Sequence, residues 1–248
     1  MYNLLISLAV GIAITLGVKL AGFSLWAGII PGVLALVATF ILLARRVAQR
    51  IQALMDSVQK EFATQATTQK DAQQKVERAV KMLEQGLTYD KWQFMVGPEL
   101  HAQIGMLKYM VKDLDGAQVH FSKSGSRNYM AKALEGALHY QRKNFTAMEA
   151  SFEEAVNAGK KDAIIWAAYA WCLVQTKEKD KALRVLARAV ETNPTDEKLK
   201  ASLTQLQNDK RLKMKPYEPT WWQFGLEAPP PQTLGGGGGR RVQFINRR

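Results

Sequence analysis

Residues 105–189 repeat one spacing of small and bulky side chains three times, and this stretch decides the fold. It begins GMLKYMVKDLDGAQVHFSKS over residues 105–124. The second, third and fourth positions of each copy follow the first by 12, 16 and 19 residues, and successive copies are shifted by 31 and 34. A period near 34 residues is typical of stacked helical hairpins, none of which can bury its apolar face alone. The copies are Gly105, Ala117, Phe121 and Ser124; Gly136, Met148, Phe152 and Ala155; and Ala170, Ala182, Leu186 and Ala189.

The pattern resembles the tetratricopeptide repeat (TPR). The first two copies depart from the signature at several positions, including Ser124, Glu135 and Met148, but keep its period. The resemblance implies an all-α protein, with an α-solenoid of about three TPR hairpins over residues 98–210. A capping helix over residues 195–210 would close the array. The third copy carries most of the signature residues, which are Trp166, Tyr169, Ala170, Ala182, Ala189 and Pro194.

The resemblance also implies a binding surface. In TPR domains the first helix of each repeat lines a concave groove, and here the corresponding wall is apolar and aromatic. It lacks the lysines and asparagines with which some TPR proteins clamp a carboxylate, so we expect it to bind an apolar segment of a protein partner. The alternative is that these side chains pack among neighbouring helices. The groove positions are Ala102, Met106, Tyr109 and Met110; Met130, Ala133, Ala137 and Tyr140; and Ile164, Ala167, Trp171 and Val174.

Two apolar runs precede the repeats, over residues 4–18 and 25–44. The second is about 20 residues long, which is close to what a helix needs to cross a hydrocarbon core of ~30 Å. We therefore expect a two-helix membrane hairpin over residues 1–44. A cleaved signal peptide would need basic residues ahead of the first run, where the chain has Met1, Tyr2 and Asn3. A buried core hairpin would need a polar face, and neither run has one.

Basic residues set the expected orientation of this hairpin. Arg45, Arg46 and Arg50 follow the second run directly, whereas Lys19 is the only charge near the connecting turn. The positive-inside rule then predicts a multi-pass protein of the inner (plasma) membrane of a bacterium, with the repeats and both termini in the cytoplasm. The formal net charge of +12 favours contact with anionic lipid over nucleic acid.

Residues 45–97 form a linker with an interrupted apolar stripe. One interpretation is a coiled-coil dimer stalk, but the interruption argues against a long one. The favoured interpretation is an amphipathic juxtamembrane helix along the bilayer, followed by a helix that packs on the repeats. The aromatic segment at residues 89–94 is expected to cover the open apolar edge of the first repeat.

The tail, residues 211–248, carries an aromatic strip of Tyr217, Trp221, Trp222 and Phe224. Four aromatic side chains between prolines need a reason to be exposed to water. The hypothesis is that the strip binds a groove, either its own or that of a partner; the alternative is the membrane interface. Beyond it, residues 229–239 contain a triple proline and five glycines and indicate a flexible tether, and the basic end, residues 240–248, could contact anionic lipid or RNA.

No pattern in the sequence predicts chemistry. His101, His120 and His139 are 19 residues apart, which is not the spacing of a helical metal pair, and Cys172 is the only cysteine. We expect no enzyme, no cofactor, no metal and no small-molecule ligand. The sequence therefore favours a membrane-anchored TPR adaptor or scaffold. The alternatives are a permanent accessory subunit of a larger membrane complex and a ribosome- or nucleic-acid-associated membrane factor.

Overall fold

The protein is described here by a computed structural model that covers residues 1–64 and 68–228. These residues form helices joined by turns, with no strand among them, and the predicted all-α class is confirmed. Short 3₁₀ helices occur at Leu87–Tyr89, Lys215–Tyr217 and Thr220–Phe224. The α-helices are α1 (Tyr2–Leu20), α2 (Leu25–Phe62), α3 (Gln69–Gly86), α4 (Val96–Met110), α5 (Leu114–Phe121), α6 (Tyr129–Gln141), α7 (Phe145–Ala158), α8 (Ala163–Gln175), α9 (Lys179–Thr192) and α10 (Glu197–Gln207).

The helices α1 and α2 form an antiparallel hairpin whose contact face consists of small residues. A Cβ atom on Gly11 would lie 2.9 Å from the carbonyl oxygen of Gly32, and one on Gly28 would lie 2.8 Å from the carbonyl oxygen of Thr15. Glycine is therefore required where the two backbones meet. The Thr15 hydroxyl donates to the carbonyl of Gly11 at 3.0 Å and also reaches that of Gly28 at 3.3 Å.

Most large apolar side chains of this hairpin face outward, although Leu36 lies against Gly11 on the contact face. Leu34 and Leu42 are exposed, and so are most leucines of α1, while Asn3 and Ser7 are buried on the contact face. A core helix of a water-soluble domain would show the opposite distribution. Both helices are long and apolar enough to cross a membrane, by length and composition.

Beyond the hairpin, α2 continues without a break as far as Phe62. The sequence interpretation placed a juxtamembrane helix along the bilayer here, but this helix is the second half of α2. Its apolar stripe packs on α3 instead, and α3 packs on α4, as predicted for a helix lying on the repeats. The buried residues of this packing are Val58, Val76, Ala79, Val80, Leu83, Leu100 and Ile104.

The repeat array consists of the hairpins α4–α5, α6–α7 and α8–α9, and α10 packs on α8 and α9. The repeated small and bulky positions meet within each of the first two hairpins. A Cβ atom on Gly105 would lie 2.6 Å from a ring carbon of Phe121, and one on Gly136 would lie 2.6 Å from a ring carbon of Phe152. The 16-residue offset therefore exists because a glycine on the first helix receives an aromatic ring from the second. The predicted helical hairpins are confirmed.

The first repeat's outer edge is covered by α2 and α3. The aromatic segment at residues 89–94, which we expected to cover this edge, does not do so: Trp92 and Phe94 are 40% and 67% exposed. The reason is that the apolar stripe of α2 and α3 already supplies the packing that this edge needs.

Candidate protein-binding groove

The first helices of the three repeats, α4, α6 and α8, lie side by side and form the wall that the sequence predicted as a groove. Tyr109 and Trp171 are buried on this wall, and Tyr140 packs edge-on against Trp171 with ring centroids 5.7 Å apart. Most of the remaining positions are buried or partly buried, and Met110 is 64% exposed. These others are Met106, Met130 and Val174, which are partly buried, and Ala102, Ala133, Ala137, Ile164 and Ala167, which are buried.

The aromatic strip of the tail lies against this wall. Trp221 is 1% exposed, and its ring contacts that of Trp171 edge-on at 5.3 Å. Phe224 is fully buried, and its carbonyl oxygen accepts a hydrogen bond of 2.6 Å from the Tyr109 hydroxyl. The same hydroxyl accepts a bond of 2.8 Å from the Gln141 side chain. The strip therefore bridges α8 and α4.

Two further contacts fix the ends of the strip. The Tyr217 and Ser202 hydroxyls are 2.8 Å apart, which ties the start of the strip to α10. At its other end the Glu227 carboxylate accepts from the indole N–H of Trp221 at 3.0 Å and from Arg211 at 3.1 Å. A buried indole N–H needs such an acceptor, because leaving it unpaired is costly. The strip thus runs from α10 across α8 to α4.

The wall is electrically neutral at physiological pH. Burial raises the pKa of Tyr109 well above its ordinary value, although the hydrogen bond from Gln141 opposes this, and burial also raises the pKa of Tyr140. Burial raises the pKa of Tyr217 to about 12. The Cys172 thiol behind Trp171 is buried, and this burial raises its pKa, so that it is a poor nucleophile. Such a wall suits an apolar or aromatic ligand rather than a charged one.

The sequence predicted the aromatic residues of this contact but not the polar side chains that hydrogen-bond to them. Gln141 bonds to Tyr109, 32 residues away, and Ser202 to Tyr217, 15 residues away. Glu227 bonds to Trp221 and Arg211, which are 6 and 16 residues away. No periodicity marks these polar side chains. Two buried residues before the strip, Leu212 and Met214, were also missed; they alternate with exposed basic residues, which is the signal that could have revealed them.

Two of the three histidines lie together. The Nδ1 atoms of His101 on α4 and His120 on α5 are 3.0 Å apart, although their 19-residue separation gave no sign of a pair. Burial, followed by the charge of His101, lowers the pKa of His120 to about 4, and burial lowers the pKa values of His101 and His139. Within residues 1–64 and 68–228, no group of three or more potential ligands is placed to hold a metal ion.

The basic residues after the apolar part of α2 are exposed. The Arg50 guanidinium lies over the ring of Tyr89, 5.7 Å from its centroid, and donates to its hydroxyl at 3.3 Å. Arg45 and Arg46 are exposed on the preceding turn. The predicted tether and basic end, residues 229–248, lie outside the described residues.

Comparison with known families agrees with the repeat geometry. Residues 139–206, from the end of α6 to the last turn of α10, match the family model described as tetratricopeptide repeat. No curated protein matches the chain. The match and the three hairpins together show that the chain contains tetratricopeptide repeats, preceded by two N-terminal apolar helices of membrane-spanning length.

Proposed function

We propose that this protein is a membrane-anchored TPR adaptor that binds a protein partner through the concave wall of its repeats, at the cytoplasmic face of a bacterial inner membrane. The observation that carries the proposal is the occupied groove. An aromatic segment of the chain itself, residues 217–227, lies against Trp171 and Tyr109 and is fastened there by hydrogen bonds. The wall thus has the shape and the polarity to hold a short aromatic segment.

The class of partner segment follows from the contacts that the strip makes. It places one indole ring against Trp171 and offers one main-chain carbonyl to Tyr109. A partner that presents an aromatic side chain next to a free carbonyl could make both contacts, whereas a charged segment would lose hydration without finding an opposite charge. The partner would compete with residues 217–227 for the wall. Only a segment that binds tightly enough to displace the strip would therefore be held.

Four observations support the membrane anchor. Most apolar side chains of α1 and of the first half of α2 face outward, and the contact face between these helices has the small residues that closely packed membrane helices use. The first residues of α1 are hydrogen-bonded to the loop at Lys91 and Trp92, and α2 continues into the folded domain. A removable signal segment would not be built into the domain in this way. The exposed Arg45 and Arg46 support the cytoplasmic placement of the repeats.

The mechanism is concentration of the partner at the bilayer. The hairpin holds the repeats at a fixed place, and the wall recognises the partner's segment. Anchoring confines the wall to the bilayer surface, which raises its effective concentration for a partner located there. The proposed binding neither forms nor breaks a covalent bond.

Site-specific photo-crosslinking in native membranes tests the proposal. A photoreactive residue at Met110, a groove position with a 64% exposed side chain, should form an adduct with a specific protein. The yield should rise when Trp221→Ala and Phe224→Ala together release the strip. The matched control is Val119 on α5, which is 54% exposed and is not one of the groove positions.

The outcome also separates an adaptor from a permanent subunit. An adaptor should lose its partner when solubilised membranes are diluted, because the strip competes for the wall. A partner that stays in stoichiometric amount after dilution would replace the proposal with an accessory subunit. Equal adducts from Met110 and Val119, with no response to release of the strip, would contradict recognition by the wall.

A further inference from the structure

The loop between α3 and α4 carries two aromatic side chains that the described chain leaves partly or largely exposed. Trp92 is 40% exposed and Phe94 is 67% exposed. Phe94 has the most exposed large apolar side chain of residues 43–64 and 68–228. Most isolated surface apolar residues need no explanation, but an exposed Trp and Phe two residues apart on one short loop form a patch.

The loop is attached to the first turn of α1. The amide of Tyr2 donates to the carbonyl of Lys91 at 2.9 Å, and the amide of Asn3 donates to that of Trp92 at 3.2 Å. These amides are among the first of a helix, which have no acceptor within the helix itself. The rings of Tyr2 and Trp92 also meet edge-on, with centroids 5.5 Å apart. The loop therefore moves with the start of the apolar hairpin.

A second contact holds the loop against α2, at the same height along the hairpin as the first turn of α1. Arg50 stacks on Tyr89 and donates to its hydroxyl, one turn after the exposed Arg45 and Arg46 that end the apolar part of α2. The 19 residues of α1 span roughly 28 Å at 1.5 Å per residue, close to the ~30 Å of a hydrocarbon core. When α1 spans the bilayer, Tyr2 lies at its surface, and both attachments place the loop there.

The chemistry of the loop fits this level. Trp92 and Phe94 are exposed beside Lys91, which is also exposed, and the guanidinium of Arg50 lies nearby on Tyr89. Aromatic rings next to basic groups suit the boundary between acyl chains and anionic headgroups. The other aromatic segment of the chain, residues 217–224, is already held on the repeats.

We propose that residues 89–95 form a lipid-binding surface, in which Trp92 and Phe94 insert among the headgroups of an anionic bilayer beside Lys91 and Arg50. This proposal rests on the hairpin being inserted, as proposed above. Its consequence is orientation: with the loop held in the interface, α4 begins at the bilayer surface. The repeats would then be fixed against the membrane rather than swinging freely on α2.

Quenching of tryptophan fluorescence by brominated lipids tests the surface. The full chain is reconstituted into vesicles of phosphatidylcholine and phosphatidylglycerol whose bromine atoms lie close to the glycerol backbone. The chain has six tryptophans, and Trp26→Phe leaves Trp92 as the one outside the repeats and the strip. The tryptophan fluorescence of the Trp26→Phe variant should be quenched clearly. The additional change Trp92→Phe should remove most of that quenching. Adding Phe94→Ser to Trp26→Phe should reduce it in part.

The hairpin is tested separately in Trp92→Phe, which retains Trp26 at the distal turn of the hairpin. If the brominated lipid quenches Trp26 but not Trp92, the hairpin is inserted but the loop does not bind lipid, and only this inference is overturned. If neither is quenched, the hairpin is not inserted, and the proposed membrane anchor fails together with the inference. If both are quenched, the loop lies in the interface as proposed.

Discussion

The α1–α2 hairpin and the repeat hairpins are built to opposite rules. In the α6–α7 hairpin a large side chain, Phe152, is fully buried against Gly136. In the α1–α2 hairpin the buried residues are small or polar, including Asn3 and Ser7, and most leucines face outward. Both hairpins use glycine at the point of closest approach, but only the repeats use it to admit an aromatic ring.

The difference shows what each hairpin gains from folding. In water, burial of a large apolar side chain is the main favourable contribution, and the repeats bury most of theirs. In lipid that contribution vanishes between helices, so close backbone approach and hydrogen bonds such as that of Thr15 must hold them together. The two regions of one chain thus show the side-chain distributions expected in lipid and in water, which agrees with the proposed membrane anchor.

The largest expected effect of a single change is at the centre of the repeats. Phe152→Ala should lower the free energy of unfolding of the array by about 3–5 kcal/mol, because the space beside Gly136 cannot be refilled. The matched control, Phe145→Ala on the same helix, removes a side chain that is 43% exposed and should cost far less. Denaturant unfolding of the full chain in detergent, followed by tryptophan fluorescence, measures both. Equal losses would contradict the packing described here.

A smaller effect is expected at the strip. Trp221→Ala should cost about 2–3 kcal/mol, the scale of exposing one large apolar side chain, because the strip can detach while the repeats stay folded. Hydrogen exchange should then speed up in residues 215–228 and leave the buried amides of α7 unchanged. Gln223→Ala, at an exposed position of the strip, is the matched control. Unchanged exchange in the strip would show that Trp221 does not hold it.

The comparison also explains what sequence could predict. The repeats could be recognised because each small position faces a bulky one at a fixed offset within a single hairpin, as Gly136 faces Phe152. The apolar runs could be recognised because their length is close to what a helix needs to cross the hydrocarbon core of a membrane. Both signals are local in sequence, and they were sufficient for the fold class.

Contacts between distant segments could not be predicted in the same way. The hydrogen bond from Tyr109 to the carbonyl of Phe224 joins residues 115 apart, and the His101–His120 pair depends on how α4 crosses α5. The strip's aromatics favoured binding to a groove, its own or that of a partner, and left the membrane interface open as the alternative. The exposed loop at Trp92 and Phe94 was misjudged because the packing of α2 and α3 on the first repeat decided which residues were left outside.

A substitution at the hairpin's contact face tests the other half of the comparison. Gly32→Leu should destabilise the hairpin by about 1–3 kcal/mol, because a Cβ atom there would overlap the Thr15 hydroxyl and lie 2.9 Å from the carbonyl oxygen of Gly11. Gly17→Leu is the matched control, since a Cβ at Gly17 has no neighbour within 4 Å. Spin labels at Leu4→Cys and Leu42→Cys, both exposed, should show a broadened distance distribution only in Gly32→Leu. A narrow distribution in both variants would contradict the close contact.

The smallest expected effect is the response to acid, and it should be confined to the repeats. The folded-state pKa values of His101, His120 and His139 lie below the ordinary 6.5, with that of His120 at about 4. Between these pH values the unfolded chain binds more protons than the folded one, so stability is present above about pH 6.5 and is lost as the pH falls towards about 4. The effect is modest because the rings remain partly exposed to solvent.

His120→Gln should flatten this pH dependence, because it removes the ring whose pKa is lowered most and relieves His101 of a neighbour that would repel it once both are protonated. Asp113, which lies near His120, does not add to the pH dependence of stability in this range. A hydrogen bond from the amide of Gly116 and another from Lys108 lower the pKa of its carboxyl below the ordinary 3.8, so its contribution is lost only at lower pH. Thermal unfolding at a series of pH values, in parallel on the wild-type chain and on His120→Gln, measures the slope. The same slope in both would show that the histidine pair does not couple stability to pH.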